Sequence, residues 1–408
     1  MSEPERFEKS SSPFQTTQVL TVAAGHFVHD LYSSFLAPWL PLLIEKMSLS
    51  LTLAGSLTLF IRLPSLLNPV IGVVADRIEV RYMVIAAPAV TALCMSLMGL
   101  APDYGAVAVL LFIVGVSAAV FHVPAPVMIV RMSGTQLGKG MSCFMAAGEL
   151  ARTVGPLVAV AAVSLWGFEG SYPVMSFGLV ASAFLYWRLR HVTVHRRKSP
   201  GTSVAKTLQA MRHVLVPLTC LVVARALMVV SLTTFLPTFM AVSGKSLWVG
   251  GTALAVLELS GAFGSLTSGT LSDRLGRRFV LLASMMASPC LMLTFLVART
   301  WAVFAVLVLL GFTVFAATPV MLAVVQEHAQ GMRATANGLF MAIDFVVLST
   351  VTVLVGWLGD MMGLRAAFAW SALLALAGVP IIFLLPKQTR EKGQAVEALT
   401  DGAEGQIP

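Results

Sequence analysis

The stretch Gly269-Thr-Leu-Ser-Asp273-Arg274-Leu-Gly276-Arg277-Arg278 is a short polar break between two long apolar runs. A similar stretch, Gly72-Val-Val-Ala-Asp76-Arg77-Ile-Glu79-Val-Arg81, lies about half a chain length earlier in the 408 residues. One copy alone would indicate only a basic turn between two helices. Two copies at this separation predict a membrane unit that was duplicated and fused.

Each residue type in this motif has a physical use at a membrane surface. The glycine allows close helix approach, the aspartate can meet a helix N-terminus, and the arginines reach lipid headgroups. We expect these loops to latch one side of the bundle, which gives a gating role to Asp76, Arg77, Asp273, Arg274 and Arg277.

The composition is that of a membrane protein. Hydrophobic residues make up 57% of the chain and charged residues 11%, with a mean hydropathy of +0.87. This leaves too little polar surface to cover a water-soluble body. The sequence predicts an all-α fold of twelve transmembrane helices in two pseudo-symmetric halves, because a span needs about 20 apolar residues.

Lysine and arginine set the predicted orientation. An even number of spans puts both termini on one side, and the opposite loops hold only Lys46, Lys245, Arg299 and Arg365. This bias predicts a multi-pass protein of the bacterial inner membrane with both termini cytoplasmic, and it accounts for the net charge of +8 without a nucleic-acid partner. The predicted regions are a tail at 1–17, a first half at 18–190, a basic linker at 191–212, a second half at 213–386 and a tail at 387–408.

Signatures of catalysis and of cofactor binding do not appear in the sequence. The four cysteines fall in apolar runs without CxxC spacing, which argues against a disulfide framework or a metal site. The stretch 134–140 resembles a phosphate-binding loop only superficially, since it is too short and no strand precedes it. We therefore expect no enzyme activity and no cofactor, and energy from an ion or substrate gradient.

Charged residues inside the apolar runs are the strongest functional signal. Each would cost about 2.5–3.5 kcal/mol at the centre of a span facing lipid, so we expect them to face protein or a wet cavity. A layer of such groups at mid-depth is typical of a transport pathway. The seven residues are Asp30, Arg62, Glu149, Arg152, Arg225, Glu258 and Asp344.

His26 and Asp30 lie one helical turn apart, with Tyr32 close by. A carboxylate beside an imidazole can exchange a proton near neutral pH, although a buried pair that only fixes packing is the alternative. His122 precedes Pro124 and Pro126, which break the backbone ladder and favour a polar pocket there.

Ion pairs can also be predicted from spacing. Glu149 and Arg152 are three residues apart, which is the spacing of an ion pair within one helix. The pair either only neutralises the two charges or acts in gating by separating when Glu149 is protonated. Arg225 could pair across helices with Glu258. Arg62 and Asp344 have no opposite charge nearby in sequence, so a partner across the interface or a ligand is expected for them.

With these residues the chain resembles the major facilitator superfamily over nearly its whole length. The second copy of the motif fits that family fully, whereas the first has Glu79 where glycine is usual. Gly155-Pro156 resembles the motif of proton-driven exporters. The stretch from His26 to Tyr32, and Phe121-His122 followed by proline, resemble a fosmidomycin-resistance-type branch, although Val123 intervenes before Pro124.

The resemblance implies a proton-coupled antiporter that exports a small drug or anionic metabolite by alternating access. Uptake of an organic anion by symport is the alternative, and a transport-inactive membrane sensor is a third. The expected partners are protons, a small-molecule substrate and the lipid bilayer, and the chain is expected to be a monomer. We assign proton coupling to Asp30, His26 and Glu149, substrate binding to His122, Arg225, Tyr32 and Arg62, and gating also to Arg152, Asp344 and Glu258.

Overall fold

The computed structural model describes residues 13–68, 80–134, 136–192, 204–329 and 332–386. Asp76 and Arg77, with most of the first motif copy, lie outside the described residues, as do 193–203 of the predicted linker. The described part is helical apart from short turns and loops, which confirms the all-α prediction.

The described residues of the first half form eight α-helices. These are α1 (Thr16–Ser33), α2 (Leu36–Met47), α3 (Leu51–Arg62), α4 (Val80–Ser96), α5 (Tyr104–His122), α6 (Ala125–Met132), α7 (Leu137–Trp166) and α8 (Met175–Leu189).

The second half also contains eight α-helices in the described residues. These are α9 (Val204–Thr233), α10 (Leu236–Val242), α11 (Leu247–Leu275), α12 (Arg277–Val297), α13 (Ala302–His328), α14 (Arg333–Met362), α15 (Leu364–Ala375) and α16 (Gly378–Ile381).

Nine helical segments in the described residues are long and apolar enough to cross a membrane. The three other predicted spans correspond to α1 with α2, to α3, and to α8. In the predicted linker, residues 204–212 are already helical and continue into α9. Thr207, Met211 and Val214 are buried there at helical spacing, so this turn is amphipathic and extends the helix beyond the apolar run.

Local chemistry explains where several helices begin and break. The Ser50 hydroxyl accepts from the Leu53 amide at 3.2 Å, and the Ser246 hydroxyl accepts from the Val249 amide at 3.4 Å. These two N-caps begin α3 and α11 at equivalent places in the two halves. The break between α5 and α6 falls at Pro124, which lacks an amide proton for the helical ladder.

The halves meet most closely where α3 begins and α14 ends, an end of the bundle that we call the far side. A Cβ on Gly356 would lie 2.3 Å from the Leu51 carbonyl oxygen, and one on Gly55 would lie 2.7 Å from that of Thr352. Gly251 similarly allows α11 to approach Pro156 of α7. The backbones are therefore packed tightly against each other at this end.

The core is divided in a way that agrees with this packing. One buried apolar cluster contains residues of both halves, including Leu57, Phe235 and Val355. Two other clusters each belong to a single half, one around Phe121 and Phe144 and one around Leu218 and Val280. Both lie toward the end where α11 meets α12, which we call the motif side. The structure is thus closed on the far side, while each half has its own core on the motif side.

Two glycines of α11 pack within their own half and not at the interface between the halves. Gly261 packs against the Phe315 ring and Gly264 against the Phe312 carbonyl, so both lie against α13 of the same half. Gly155 of α7 faces Ser34 and Leu31, also within one half. Spacing along a helix reveals a face that permits close packing but not which neighbour occupies it.

Candidate functional site

The carboxylate of Asp30 is surrounded by three imidazole rings. Its Oδ2 atom lies 3.2 Å from Nε2 of His26, and its Oδ1 atom lies 3.1 Å from Nδ1 of His29 and 3.2 Å from Nε2 of His122. His26, His29 and Asp30 belong to α1, and His122 ends α5 at the break before Pro124. His122 therefore reaches the Asp30 carboxylate from a different helix.

The contacts of His26 determine where a proton must reside. Its Nδ1 atom lies 2.7 Å from the Phe144 carbonyl oxygen, which can only accept, so Nδ1 carries a proton and donates it. In a neutral ring Nε2 would then present a lone pair to the Asp30 carboxylate 3.2 Å away. Two lone pairs at this distance repel. The contact therefore requires a proton on either His26 Nε2 or Asp30.

The environment of the cluster is dry on one side and open on the other. The side chains of His26 and His29 are 6% and 0% exposed, whereas that of His122 is 42% exposed. The His26 ring stacks on Phe144 and the His29 ring on Phe121. The Asp30 side chain is 13% exposed. It thus lies between buried aromatic rings on one side and the accessible His122 ring, which protons can reach, on the other.

His29 was missed by the sequence interpretation, although it directly precedes Asp30. Its signal was its place one turn after His26 on the same helix, at the i, i+3 spacing that puts two rings on neighbouring positions. Gly148 of α7 was also missed. A Cβ there would lie 2.6 Å from Cε1 of His26, so only glycine leaves room for the ring.

A metal ion is not needed to explain these contacts. His26, Asp30 and His122 each offer one ligand atom within 4.8 Å of the others, so they are a group of described residues that could hold one together. The distances to Asp30 are nevertheless those of hydrogen bonds between histidine and carboxylate.

Tyr32 does not face this cluster. Its side chain is fully buried, and its hydroxyl donates to the Val174 carbonyl at 2.6 Å and accepts from the Gly178 amide at 3.1 Å. These bonds hold α1 against α8. The expectation of a substrate contact at Tyr32 is therefore replaced by a packing role, because the polar end of the ring is already used.

A chain of charges connects the two halves at mid-depth. Arg152 of α7 forms an ion pair with Glu149 one turn earlier, as its spacing predicted. Its Nε atom also lies 3.7 Å from Glu258 of α11 in the other half. Asp30 is close enough to attract the same guanidinium electrostatically. Arg152 therefore lies between the histidine cluster and the second half.

A cavity of about 240 Å³ lies between the halves, beside this series of charged residues. Arg152 and Glu258 line it together with Arg62 of α3. Hydroxyl-bearing residues in α3 and at the C-terminal ends of α1 and α9 form much of its remaining polar surface, namely Ser33, Ser34, Thr58, Thr233 and Thr234.

The suggested pair of Arg225 and Glu258 is replaced by different partners. The Arg225 guanidinium donates to the Thr318 hydroxyl at 2.9 Å and to the Val314 carbonyl at 2.7 Å, both on α13. Glu258 faces Arg152 instead. Arg225 is also buried, so it fixes α9 to α13 rather than joining the histidine cluster.

The second motif copy forms its contacts within one half. Arg277 pairs with Asp273 at 2.5 Å and with Glu327 of α13 at 2.8 Å, while Arg278 donates to the Leu385 carbonyl. Arg274 is exposed. In this conformation the motif holds the motif-side ends of α11, α12 and α13 together.

Comparisons with known proteins agree with this architecture. The model of the Major Facilitator Superfamily matches residues 22–346 and 259–401. The Fosmidomycin resistance protein of Escherichia coli (strain K12) is 24% identical over 371 residues, which cover 89% of this chain and 91% of that protein. The uncharacterized MFS-type transporter YfnC of Bacillus subtilis (strain 168) is 24% identical over 404 residues, which cover 95% of this chain and 97% of that protein.

Solved structures show the same fold at lower identity. A bacterial homolog of the human lysosomal transporter Spinster superposes with a TM-score of 0.78 at 15% identity, covering 92% of this chain and 97% of that one. The nucleoside transporter NupG superposes with a TM-score of 0.72 at 15% identity, covering 90% and 100%. Since the family model matches most of the sequence, the chain belongs to the Major Facilitator Superfamily.

Proposed function

We propose that this transporter is a proton-coupled antiporter that exports a small anionic molecule by alternating access. The observation that carries the proposal is the contact between His26 and Asp30, which requires one proton between two titratable groups. A proton bound there can be exchanged through His122, whose ring is accessible. Such a site is what coupling to a proton gradient needs.

The cavity beside Arg152 is the proposed substrate site. Within the described part of the chain, the Arg62 guanidinium makes no hydrogen bond or ion pair, yet it lines this cavity. An unpaired guanidinium in a membrane interior favours an anionic group such as a carboxylate or phosphonate. The neighbouring hydroxyls would orient the rest of a small ligand.

Arg152 would transmit the protonation state across the interface. When Asp30 is ionised, it attracts the Arg152 guanidinium toward the first half. When Asp30 is neutralised by a proton, Arg152 is left to Glu149 and Glu258. The balance between halves thereby depends on proton binding, as alternating access requires.

The proposed direction is export from the cytoplasm. With both termini cytoplasmic, the motif side faces the cytoplasm of a bacterial inner membrane, and the far side is closed. A cavity closed on the far side would take up its ligand from the cytoplasm. The Escherichia coli relative is named for resistance to a drug, which supports export over uptake.

The test is transport by purified protein in liposomes under an imposed pH gradient, with phosphonates and organic acids as substrates. Export by antiport predicts that substrate moves against the proton flow. Movement in the direction of proton flow would indicate uptake by symport instead. A ligand that binds but produces neither substrate flux nor proton movement would indicate a transport-inactive sensor and refute the proposal. Light scattering after chromatography tests the expected monomer.

A further inference from the structure

Asp360, near the end of α14, caps a helix of the other half. Its Oδ1 atom accepts from the Leu51 amide at 2.7 Å, and its Oδ2 atom accepts from the Thr52 amide at 2.9 Å and from the Thr52 hydroxyl at 2.5 Å. These amides begin α3, where a helix lacks internal acceptors and carries partial positive charge. A carboxylate from the second half thus stabilises the first turn of a helix in the first half.

The same two helices carry a second pair of opposite charges. Leu51 lies against Gly356 and Gly55 against Thr352, so α3 and α14 run antiparallel in a constant register. Two turns further along α3, that register places Arg62 beside Asp344. Asp344 is attracted electrostatically by two guanidinium groups, that of Arg225 first and that of Arg62 second, but it forms an ion pair with neither in this conformation.

We propose that Asp360 and Asp344 hold α3 to α14 in alternation, Asp360 when the far side is closed and Asp344, through Arg62, when it is open. This inference rests on the proposed function. It makes Asp360 a positioning residue, and it gives Arg62 two competing anionic partners. A substrate anion on Arg62 blocks the pair with Asp344, and release of the anion allows that pair to form.

The geometry explains why the contacts alternate. Opening the far side separates the first turn of α3 from Asp360, because both lie at the outer end of the contact. Rocking about the middle of the helices brings their motif-side parts together at the same time. Arg62 and Asp344 lie just beyond the tightly packed glycines, where this approach begins.

The first test measures opening of the far side without any substrate. The four native cysteines are replaced, and Ala37→Cys in the cavity wall reports access by a membrane-impermeant maleimide from the far side. Asp360→Leu removes all three bonds and is expected to increase the labelling rate about fivefold, since one helix cap contributes about 1 kcal/mol. Asp360→Asn keeps one acceptor and should give a smaller increase.

Asp103→Leu is the matched control. Asp103 caps α5 by accepting from the Ala106 amide at 2.9 Å, but it does so within its own half. Its loss should lower thermal stability without changing far-side labelling. Equal labelling of Asp360→Leu and the parent, or an equal increase in Asp103→Leu, would overturn the role of Asp360.

The second test concerns Asp344. In the Asp360→Leu background, Asp344→Asn should slow far-side labelling again, because the open state loses its pair with Arg62. Exchanging the two charges with Arg62→Asp and Asp344→Arg together should restore fast labelling while anion binding stays lost. A far-side labelling rate that neither change alters would overturn the proposed alternation. Because no substrate is present, such a result would leave the proposed transport function to its own assay.

Discussion

Replacing Asp30 with asparagine removes the negative charge from the histidine cluster while preserving its shape. The asparagine carbonyl can still accept from His29 or His122, and its amide can donate to Nε2 of His26. The side chain therefore imitates a carboxyl group that never releases its proton. Because the cluster keeps its bonds, we expect the protein to fold and to bind substrate.

The size of the effect follows from the bonds that lose their charge. Asp30 contacts three imidazole nitrogens at 3.1–3.2 Å. A hydrogen bond to a charged group contributes about 1.5–3 kcal/mol and a neutral one about 0.5–1.5 kcal/mol, so losing the charge on all three contacts costs about 3 kcal/mol. A free energy of this size changes the equilibrium constant that couples proton binding to the conformational change by a factor of about 150. Transport driven by a pH gradient should fall by about two orders of magnitude.

The assay compares two fluxes in the same liposomes, gradient-driven transport and substrate exchange without a gradient. Asp30→Asn should abolish the first and retain the second, because exchange does not require release of the proton. Asp103→Asn, the same chemical change at a helix cap, should alter neither flux. Both assays are repeated with a chelator, since a bound metal would make activity depend on it. Unchanged driven transport in Asp30→Asn would refute proton exchange at this site.

Three further substitutions test contacts at the histidine cluster, at the far side and at an exposed ion pair. Gly148→Ala would place a Cβ 2.6 Å from the imidazole of the cluster, so we expect driven transport to fall and stability to drop by about 1–3 kcal/mol in thermal unfolding. Gly356→Ala would clash with the Leu51 carbonyl and should raise far-side thiol labelling about tenfold, for a cost near 1.4 kcal/mol. The Lys46 ammonium lies 2.7 Å from Glu169 and lowers the pKa of that carboxyl, so stability present at neutral pH is lost as pH falls through the lowered pKa. Lys46→Met should remove this acid-dependent part of the melting temperature.

The glycine substitutions share one control. Gly338 lies on α14 like Gly356, but a Cβ there would meet nothing within 4 Å, so Gly338→Ala should leave transport and labelling unchanged. If Gly338→Ala had the same effect as the other two, the cause would be helix flexibility rather than close packing. If Gly148→Ala kept full driven transport, the position of the His26 ring would not matter for coupling.

Local spacing was enough to predict part of the site. The contact between His26 and Asp30 and the pair of Glu149 with Arg152 arise within one helix, so their geometry follows from the helical repeat. The duplication was likewise visible from two motif copies. These predictions needed no knowledge of which helices are neighbours.

Contacts between helices could not be obtained in the same way. Glu258 pairs with Arg152 rather than Arg225 because α11 faces α7 across the interface, and spacing within α11 does not contain that information. The local sequence around Asp360 does not indicate its role, since the amides it caps lie about three hundred residues away in sequence. The Tyr32 hydroxyl bonds to Val174 just before α8 and to Gly178 within it, and spacing within α1 does not reveal these partners.

The energies of these contacts indicate that coupling is distributed. Shifting a two-state equilibrium from 1:99 to 99:1 takes about 5.5 kcal/mol. The cap at Asp360 supplies about 1 kcal/mol of this. The pair of Arg152 and Glu258 adds little more, because its 3.7 Å separation and the 43% exposure of Arg152 admit screening by water. The remainder must come from the histidine cluster, the close glycine contacts and the substrate itself. Changes at Asp360 or Glu258, singly or together, should therefore shift the conformational balance without trapping the protein in one state.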